Sequence, residues 1–215
     1  MIISVTRALL NGYFYFVTAY FVVVNLVYFV LVVRSFREIL ISMRNSSLSD
    51  YRMLVRSELT PPISILAPAY NEEHTAVQSI KSLLKLNYGK YEVVVINDGS
   101  KDNTLQVLIE SFGLFRSKRV YRPILSSKPV RGIYRSNRPE YRNLLIVDKV
   151  NGGKADALNV GINAAQYEHV CAIDADSLLE DDALQKVMKP FLEDDTVIAA
   201  GGIVRIANGC EVSAR

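Results

Sequence analysis

The sequence predicts an α/β fold, one domain built on a mostly parallel sheet and preceded by a single transmembrane helix. Three observations carry this. From residue 63 onward, short apolar runs alternate with segments whose apolar residues recur at helical spacing. The strand-like runs are apolar nearly throughout, as in parallel strands covered on both faces. Residues 13–33 carry no charge at all. The 215 residues suffice for one ordinary domain plus a small appendage, and 50% of them are apolar, enough for a sizeable core. Net charge is a mild +3. Cys171 and Cys210 have no framework spacing, which fits a reducing compartment rather than a disulfide scaffold. With His74 and His169 as the histidines, no Cys/His cluster has zinc spacing.

The apolar stretch Tyr13–Val33 (YFYFVTAYFVVVNLVYFVLVV) is 21 residues long with one strongly polar residue, Asn25. As a helix it spans about 30 Å, the thickness of a hydrocarbon core. A signal peptide would have a shorter apolar region and a small-residue cleavage site. Here the run continues into Arg34-Ser35-Phe36-Arg37, a stop-transfer pattern. Arg7 precedes the helix, whereas Arg34, Arg37, Arg44, Arg52 and Arg56 follow it. The C-terminal side is therefore expected to be cytoplasmic. Asn25 fits either a helix-packing contact or one tolerated polar residue. Phe36, Ile39, Leu40 and Met43 share one helical face. That suits a short interfacial helix on the inner leaflet, or a continuation of the membrane helix that frays at Asn45-Ser46-Ser47. This last triplet matches a glycosylation acceptor, which a cytoplasmic location would leave silent. Pro61-Pro62 disfavours helix and delivers an extended chain. The expected organisation is thus a transmembrane segment over 1–33, a juxtamembrane linker over 34–62 and the α/β domain over 63–215.

Ile63–Ala67 is read as the first strand, ending at Pro68-Ala69-Tyr70-Asn71-Glu72-Glu73. Thr75–Leu86 is helical by the spacing of Val77, Ile80, Leu83 and Leu84, and Asn87-Tyr88-Gly89 closes it. Tyr91–Ile96 is the second strand, ending at Asn97-Asp98-Gly99-Ser100. Asp102 is placed to cap the helix carrying Leu105, Leu108 and Ile109. Residues 114–143 look irregular, broken by Pro123, Pro129, Gly132 and Pro139. From Arg116 to Arg142 there are nine Lys/Arg against one acid, Glu140. Such an excess suits anionic headgroups, substrate phosphates or simple solvation. Nucleic acid is not indicated, since no recognisable binding motif accompanies the charge.

Leu144–Val147 is the third strand, followed by Asp148-Lys149 and then Asn151–Asn159 (NGGKADALN), which opens a helix running to about Gln166. Two glycines allow close backbone approach, and a helix N-terminus offers N–H groups to an anion, with Lys154 adding a charge. A nucleotide-triphosphate P-loop is excluded, because Asp148 stands where its first Gly belongs and Ala155 replaces Ser/Thr. A buried strand from His169 then stops at Asp174-Ala175-Asp176. Leu178 at the third ligand position and the lack of a sixth-position Gly exclude an EF-hand. Glu180, Asp181 and Asp182 fit the first turn of the next helix, where they complement its dipole. Glu193-Asp194-Asp195 reads as a solvated turn. Val197–Ala200 and Ile203–Ile206 look like strand material around Gly201-Gly202. Ligands of parallel sheets bind beyond the carboxyl ends of the strands. Here three such ends are polar or acidic: Tyr70-Asn71-Glu72, Asp98-Gly99-Ser100 and Asp174-Ala175-Asp176. Taken singly, Asp98-Gly99 also fits a plain turn and Asp174 or Asp176 a helix cap.

Four motifs occur in order: Pro68–Glu73 (PAYNEE), Val95–Thr104 (VINDGSKDNT), Asn151–Asn159 (NGGKADALN) and Asp174–Asp176 (DAD). In this order the chain resembles family 2 glycosyltransferases of the GT-A fold, a Rossmann-like α/β architecture. Within them it is similar to the processive membrane synthases of bacterial polysaccharides, including the poly-N-acetylglucosamine branch associated with biofilm. The resemblance covers residues 63 to about 206. It implies that Ala69, Tyr70 and Glu72 line the nucleotide pocket, that Asp98 binds the uracil, and that Lys154 and Asp156 lie along the diphosphate and sugar. It further implies that Asp174 and Asp176 hold Mg²⁺ or Mn²⁺, which neutralises the leaving UDP. The donor would be UDP-N-acetylglucosamine or a related nucleotide sugar, and the acceptor a polysaccharide or lipid-linked chain. The address would be the cytoplasmic side of a bacterial inner membrane.

Family members continue further, with a Glu-Asp or Thr-Glu-Asp general base, a Gln-x-x-Arg-Trp acceptor segment and more membrane helices. This sequence contains no Trp, and Glu211 is the one acid after Ile206. The expectation is a GT-A domain incomplete at its C-terminus: a fragment, a natural truncation, or a chain completed by a partner membrane subunit. A non-catalytic nucleotide-sugar-binding or assembly protein is the alternative.

Overall fold

The structure, a computed structural model, describes residues 2–46, 60–119, 121, 123–174 and 177–202. The chain divides into two compact units, Met1–Asp50 and Tyr51–Arg215.

The first unit is one helix, α1 (Ile2–Ser46), unbroken through residues 33 and 34. The linker therefore begins as a continuation of the long helix rather than as a separate interfacial one. Its Leu9–Ile41 portion is long and apolar enough to cross a membrane. The consecutive residues Tyr13, Phe14, Tyr15 and Phe16 each expose more than half their surface, so apolar side chains point outward around the helix rather than along one stripe. The Asn25 amide donates to the Phe21 carbonyl at 2.8 Å, and the Thr18 hydroxyl to that of Phe14 at 2.9 Å. Both polar side chains are thus satisfied within their own helix.

The second unit is a six-stranded sheet. In chain order its elements are β1 (Ile63–Ala69), α2 (Ala76–Leu83), β2 (Tyr91–Asn97), α3 (Thr104–Phe112), β3 (Leu114–Arg116), β4 (Val130–Ser136), β5 (Leu144–Lys149), α4 (Lys154–Ala164), β6 (His169–Ala172) and α5 (Ala183–Glu193). The strand order is β3-β4-β5-β2-β1-β6. β5, β2, β1 and β6 are parallel, and β3 and β4 add an antiparallel edge. The mostly parallel α/β sheet expected from the sequence is the one observed.

β1, β2 and β5 are apolar throughout because both faces are covered. On one face Ile65, Val93 and Ile146 pack with Ile80 of α2, Phe112 of α3 and Met188 of α5. On the other, Leu66, Val94, Ile96 and Val147 pack with Ala157, Val160 and Ala164 of α4. Gly161 lets α4 lie close, since a Cβ there would meet Ile96 Cδ1 at 3.0 Å and Leu66 at 3.3 Å.

Several elements differ from the sequence expectation. Residues 114–143 are not simply irregular; they hold β3, β4 and a short 3₁₀ turn at Pro139–Tyr141. The breakers mark element ends and irregularities. Gly113 terminates α3 with φ 59°, Pro129 directly precedes β4, and Gly132 sits where the β4–β5 register shifts. β6 is not buried on both faces. It forms one edge of the sheet among the described residues, and Val170 is half-exposed. Val197–Ala200 pairs with no strand among the described residues, and Ile198 there is fully open to solvent. Ile203–Ile206 lies outside the described residues. Glu180 and Asp182 precede α5 rather than forming its first turn, and both pair with Lys186.

Candidate functional site

The carboxyl ends of the parallel strands enclose a cleft of about 480 Å³ lined by Pro68, Ala69, Tyr70, Glu72, Asp98, Asn151, Gly153, Lys154 and Asp174. That volume lies within the range of small-molecule sites. Each lining segment closes or follows a strand: β1 ends at Ala69, β2 at Asn97, β5 at Lys149 and β6 at Ala172.

The loops after β1 and β2 are latched together. Asn71 takes a left-handed conformation, φ 57°; its side-chain carbonyl accepts from the Lys101 amide at 2.9 Å, and its own amide donates to the Ser100 hydroxyl. The Glu72 amide donates to the Thr104 hydroxyl at 2.9 Å, and the Asn103 amide to the Glu73 carboxylate at 3.0 Å. Asp102 acts at the start of α3 from one residue before the N-cap, accepting from the Thr104 amide and hydroxyl. These bonds hold Tyr70 and Glu72 at the cleft wall, with Tyr70 44% exposed.

Beneath the cleft lies a buried ionic cluster. Lys149 ends β5 with its side chain completely buried, and its ammonium donates to Asp98 Oδ1 at 2.5 Å and to the Val150 carbonyl at 2.7 Å. It also pairs with Asp156 Oδ2 at 2.6 Å. Asp98, 4% exposed, accepts from the Gly152 amide on Oδ1 at 2.9 Å and from the Gly153 amide on Oδ2 at 2.7 Å. The Asn151 side chain donates to the Asp98 carbonyl at 2.8 Å. Nearby, the Asn97 amide donates to Asp148 Oδ1 and its carbonyl accepts from Ser100. The Lys149 hydrogen bond, outweighing partial burial, holds the Asp156 carboxyl below the ordinary aspartate value.

This arrangement revises two expectations. The glycine amides were expected to face an anion; they donate instead to Asp98, because a buried carboxylate must find donors. Asp156 was expected beside the ligand; it does not line the cleft. Its carboxylate turns to Lys149 and to the Lys128 amide at 3.0 Å, since one buried ammonium draws in both nearby acids. Ala69, Tyr70, Glu72, Asp98, Lys154 and Asp174 do meet around one space. Lys154 and Asp174 are both more than half exposed at its rim and form an ion pair. Asp176 lies outside the described residues. Lys149 is the residue that sequence reading passed over. A lysine closing an apolar strand was the available signal, but nothing in the sequence shows that 98, 149 and 156 converge.

The glycosyl transferase family 2 model matches residues 64–123 and 126–212. A poly-beta-1,6-N-acetyl-D-glucosamine synthase of Staphylococcus epidermidis is 31% identical over 196 residues, 90% of this chain and 38% of that protein. The synthase of the same name from Staphylococcus aureus strain COL is 33% identical over 68% of this chain and 29% of its own. The chain thus spans less than two fifths of the length of these curated relatives. Among solved structures, the S. aureus TarS 1-349 complex with UDP-GlcNAc is 24% identical with a TM-score of 0.44, covering 61% of this chain and 31% of that one. A Pyrobaculum calidifontis mannosyltransferase, PcManGT, in complex with GDP-Man and Mn2+, is 26% identical with a TM-score of 0.49, over 65% and 34%. The four ordered motifs, the parallel sheet and the family match over most of the α/β unit agree, and the chain belongs to glycosyl transferase family 2.

Proposed function

We propose that this chain carries the donor-binding part of a membrane-anchored glycosyltransferase that takes a UDP-sugar, UDP-N-acetylglucosamine by preference, for inverting transfer to a growing polysaccharide. The observation that carries this reading is the convergence of Tyr70, Glu72, Asp98, Lys154 and Asp174 on one cleft at the carboxyl ends of parallel strands. The similarity to synthases of poly-N-acetylglucosamine supports the sugar.

Each side chain has work suited to its position. Tyr70 and Ala69 form an apolar wall for a base. Asp98 accepts three hydrogen bonds, and a carboxylate offers about four lone-pair sites, so Oδ2 keeps capacity for a uracil N–H. Lys154, on the rim, places an ammonium where a diphosphate would lie. Asp174 fits a divalent cation in chemistry: it is a hard oxygen donor at the rim that already holds one cation, the Lys154 ammonium. With Asp176 it would hold Mg²⁺ or Mn²⁺, which when bound neutralises charge on the leaving diphosphate. Asp156 supports the site from beneath by sharing Lys149 with Asp98. The apolar helix α1 supports a membrane address, and the arginines that follow it support a cytoplasmic side for the cleft.

The test is calorimetric titration of the whole chain with UDP in the presence and absence of Mn²⁺. Binding is expected with metal, and Asp174→Ala is expected to abolish the metal dependence. No heat from the unaltered, folded protein would overturn the proposal. Turnover of labelled UDP-N-acetylglucosamine by the same preparation separates a transferase from a non-catalytic nucleotide-sugar-binding protein.

A further inference from the structure

The opposite edge of the sheet carries a second cleft, of about 230 Å³, that the donor reading does not use. It lies where the parallel strands begin. Tyr91 and Glu92 open β2, Leu144 opens β5, and Gln166 and Tyr167 immediately precede β6. Three arginines line it: Arg119, which follows β3, Arg135 on β4, and Arg142, just before β5. They come from the basic 116–142 stretch, whose folding into an antiparallel edge gathers them on one space.

Positive charge there is in excess. None of the three guanidinium groups forms an ion pair among the described residues. The acid in the wall, Glu92, is buried, and its Oε1 already accepts from the Ser64 hydroxyl at 2.6 Å and the Gln166 amide at 2.5 Å. Three positive charges thus face one committed negative charge. Arginine forks match tetrahedral oxyanions bidentately, and three like charges opposed by one carboxylate repel one another until an anion enters. The volume is below that of a drug-sized ligand site, which suits a single phosphate group rather than a sugar nucleotide.

We propose that the cleft of Arg119, Arg135 and Arg142 is a phosphate-binding site, separate from the donor cleft, for a phosphomonoester or a phosphate-bearing lipid headgroup. The two sources share one chemistry. Both would be bound at the sheet edge where the chain enters the domain, since β1 also begins there at Ile63.

The experiment uses the full chain in dodecyl maltoside micelles, which carry no phosphate, titrated calorimetrically with inorganic phosphate. The double variant Arg135→Ala/Arg142→Ala is expected to weaken phosphate binding about tenfold or more, the loss of charge-assisted hydrogen bonds. Lys81→Ala/Lys85→Ala removes the same charge from the exposed side of α2 and the turn after it, and is expected to change binding by no more than about twofold, as screened charge at a distance should. Equal loss in both variants, or no phosphate heat in the unaltered chain, overturns the site. Arg119→Gln gives the same reading should the double variant melt at a lower temperature. Competition with dihexanoyl phosphatidic acid then separates the sources. Displacement of phosphate at lower concentration than phosphate itself assigns a lipid headgroup, and weaker or equal displacement assigns a soluble phosphomonoester. UDP titration of Arg135→Ala/Arg142→Ala is expected to match the unaltered chain, so the outcome here is independent of the donor reading.

Discussion

Lys149 has no contact with solvent, and an ammonium in that position is tolerated only when counter-charges and acceptors surround it. Asp98, Asp156 and the Val150 carbonyl supply them. Removing the cation leaves Asp98 buried and unpaired, so Lys149→Met is expected to cost about 3–5 kcal/mol in denaturant unfolding. It is also expected to weaken UDP binding, because Asp98 then loses the partner that orients it against Gly152 and Gly153. A variant as stable as the parent would show that the cluster is dispensable. Asp156 gives the cluster a pH signature. Its folded carboxyl titrates below the ordinary 3.8, chiefly through the Lys149 hydrogen bond. The stability it contributes is therefore present above that value and is lost as pH falls through its lower folded value. The denaturation midpoint is expected to drop less between pH 6 and pH 3 in Asp156→Asn than in the parent. Asp98 and Lys154 were legible from motif position, whereas the part played by Lys149 was not, because pairing between distant residues has no local sequence mark.

At the scale of elements, the junction of β5 and α4 carries most of the site. Gly153 precedes α4 with φ 86°, a conformation that side chains rarely adopt, and its amide donates to Asp98. Gly153→Ala is expected to cost about 1–3 kcal/mol of backbone strain and to weaken UDP binding, since the strain falls on the loop itself. Gly161, about two turns along the same helix, serves packing against Leu66 and Ile96. Gly161→Val is expected to cost a similar amount, about 1–3 kcal/mol, by overpacking, while the UDP affinity of the folded protein stays unchanged. Paired unfolding and titration measurements check both. β1, β2 and β5 were plain in the sequence because burial on two faces demands continuous apolar runs. β3 and β4 were not, because edge strands need no such run: β4 mixes exposed, half-buried and buried residues and carries two arginines. Pro129, Gly132 and Pro139 were seen but taken for the substance of a loop, when Pro129 and Pro139 lie at the starts of short elements and Gly132 at an irregularity within one.

At the scale of the whole molecule, α1 and the α/β unit present different surfaces. The outward apolar surface of α1 is suited to lipid, and the chain is expected to stay with sedimented membranes after an alkaline carbonate wash. Its appearance in the supernatant would count against a spanning helix. The sequence by itself determined the long apolar helix, the parallel α/β class, the family motifs and most of the cleft residues, because these depend on composition, periodicity and the polarity of strand ends. Tertiary structure decided which charges meet. It turned the glycine amides and Asp156 toward the Asp98–Lys149 pair, and it gathered Arg119, Arg135 and Arg142 on the far edge of the sheet. Both depend on strand order, and the first depends on burial as well. A buried charge must recruit its partners from whatever strands the topology places beside it, and strand order is a property of the folded sheet, not of any stretch of residues.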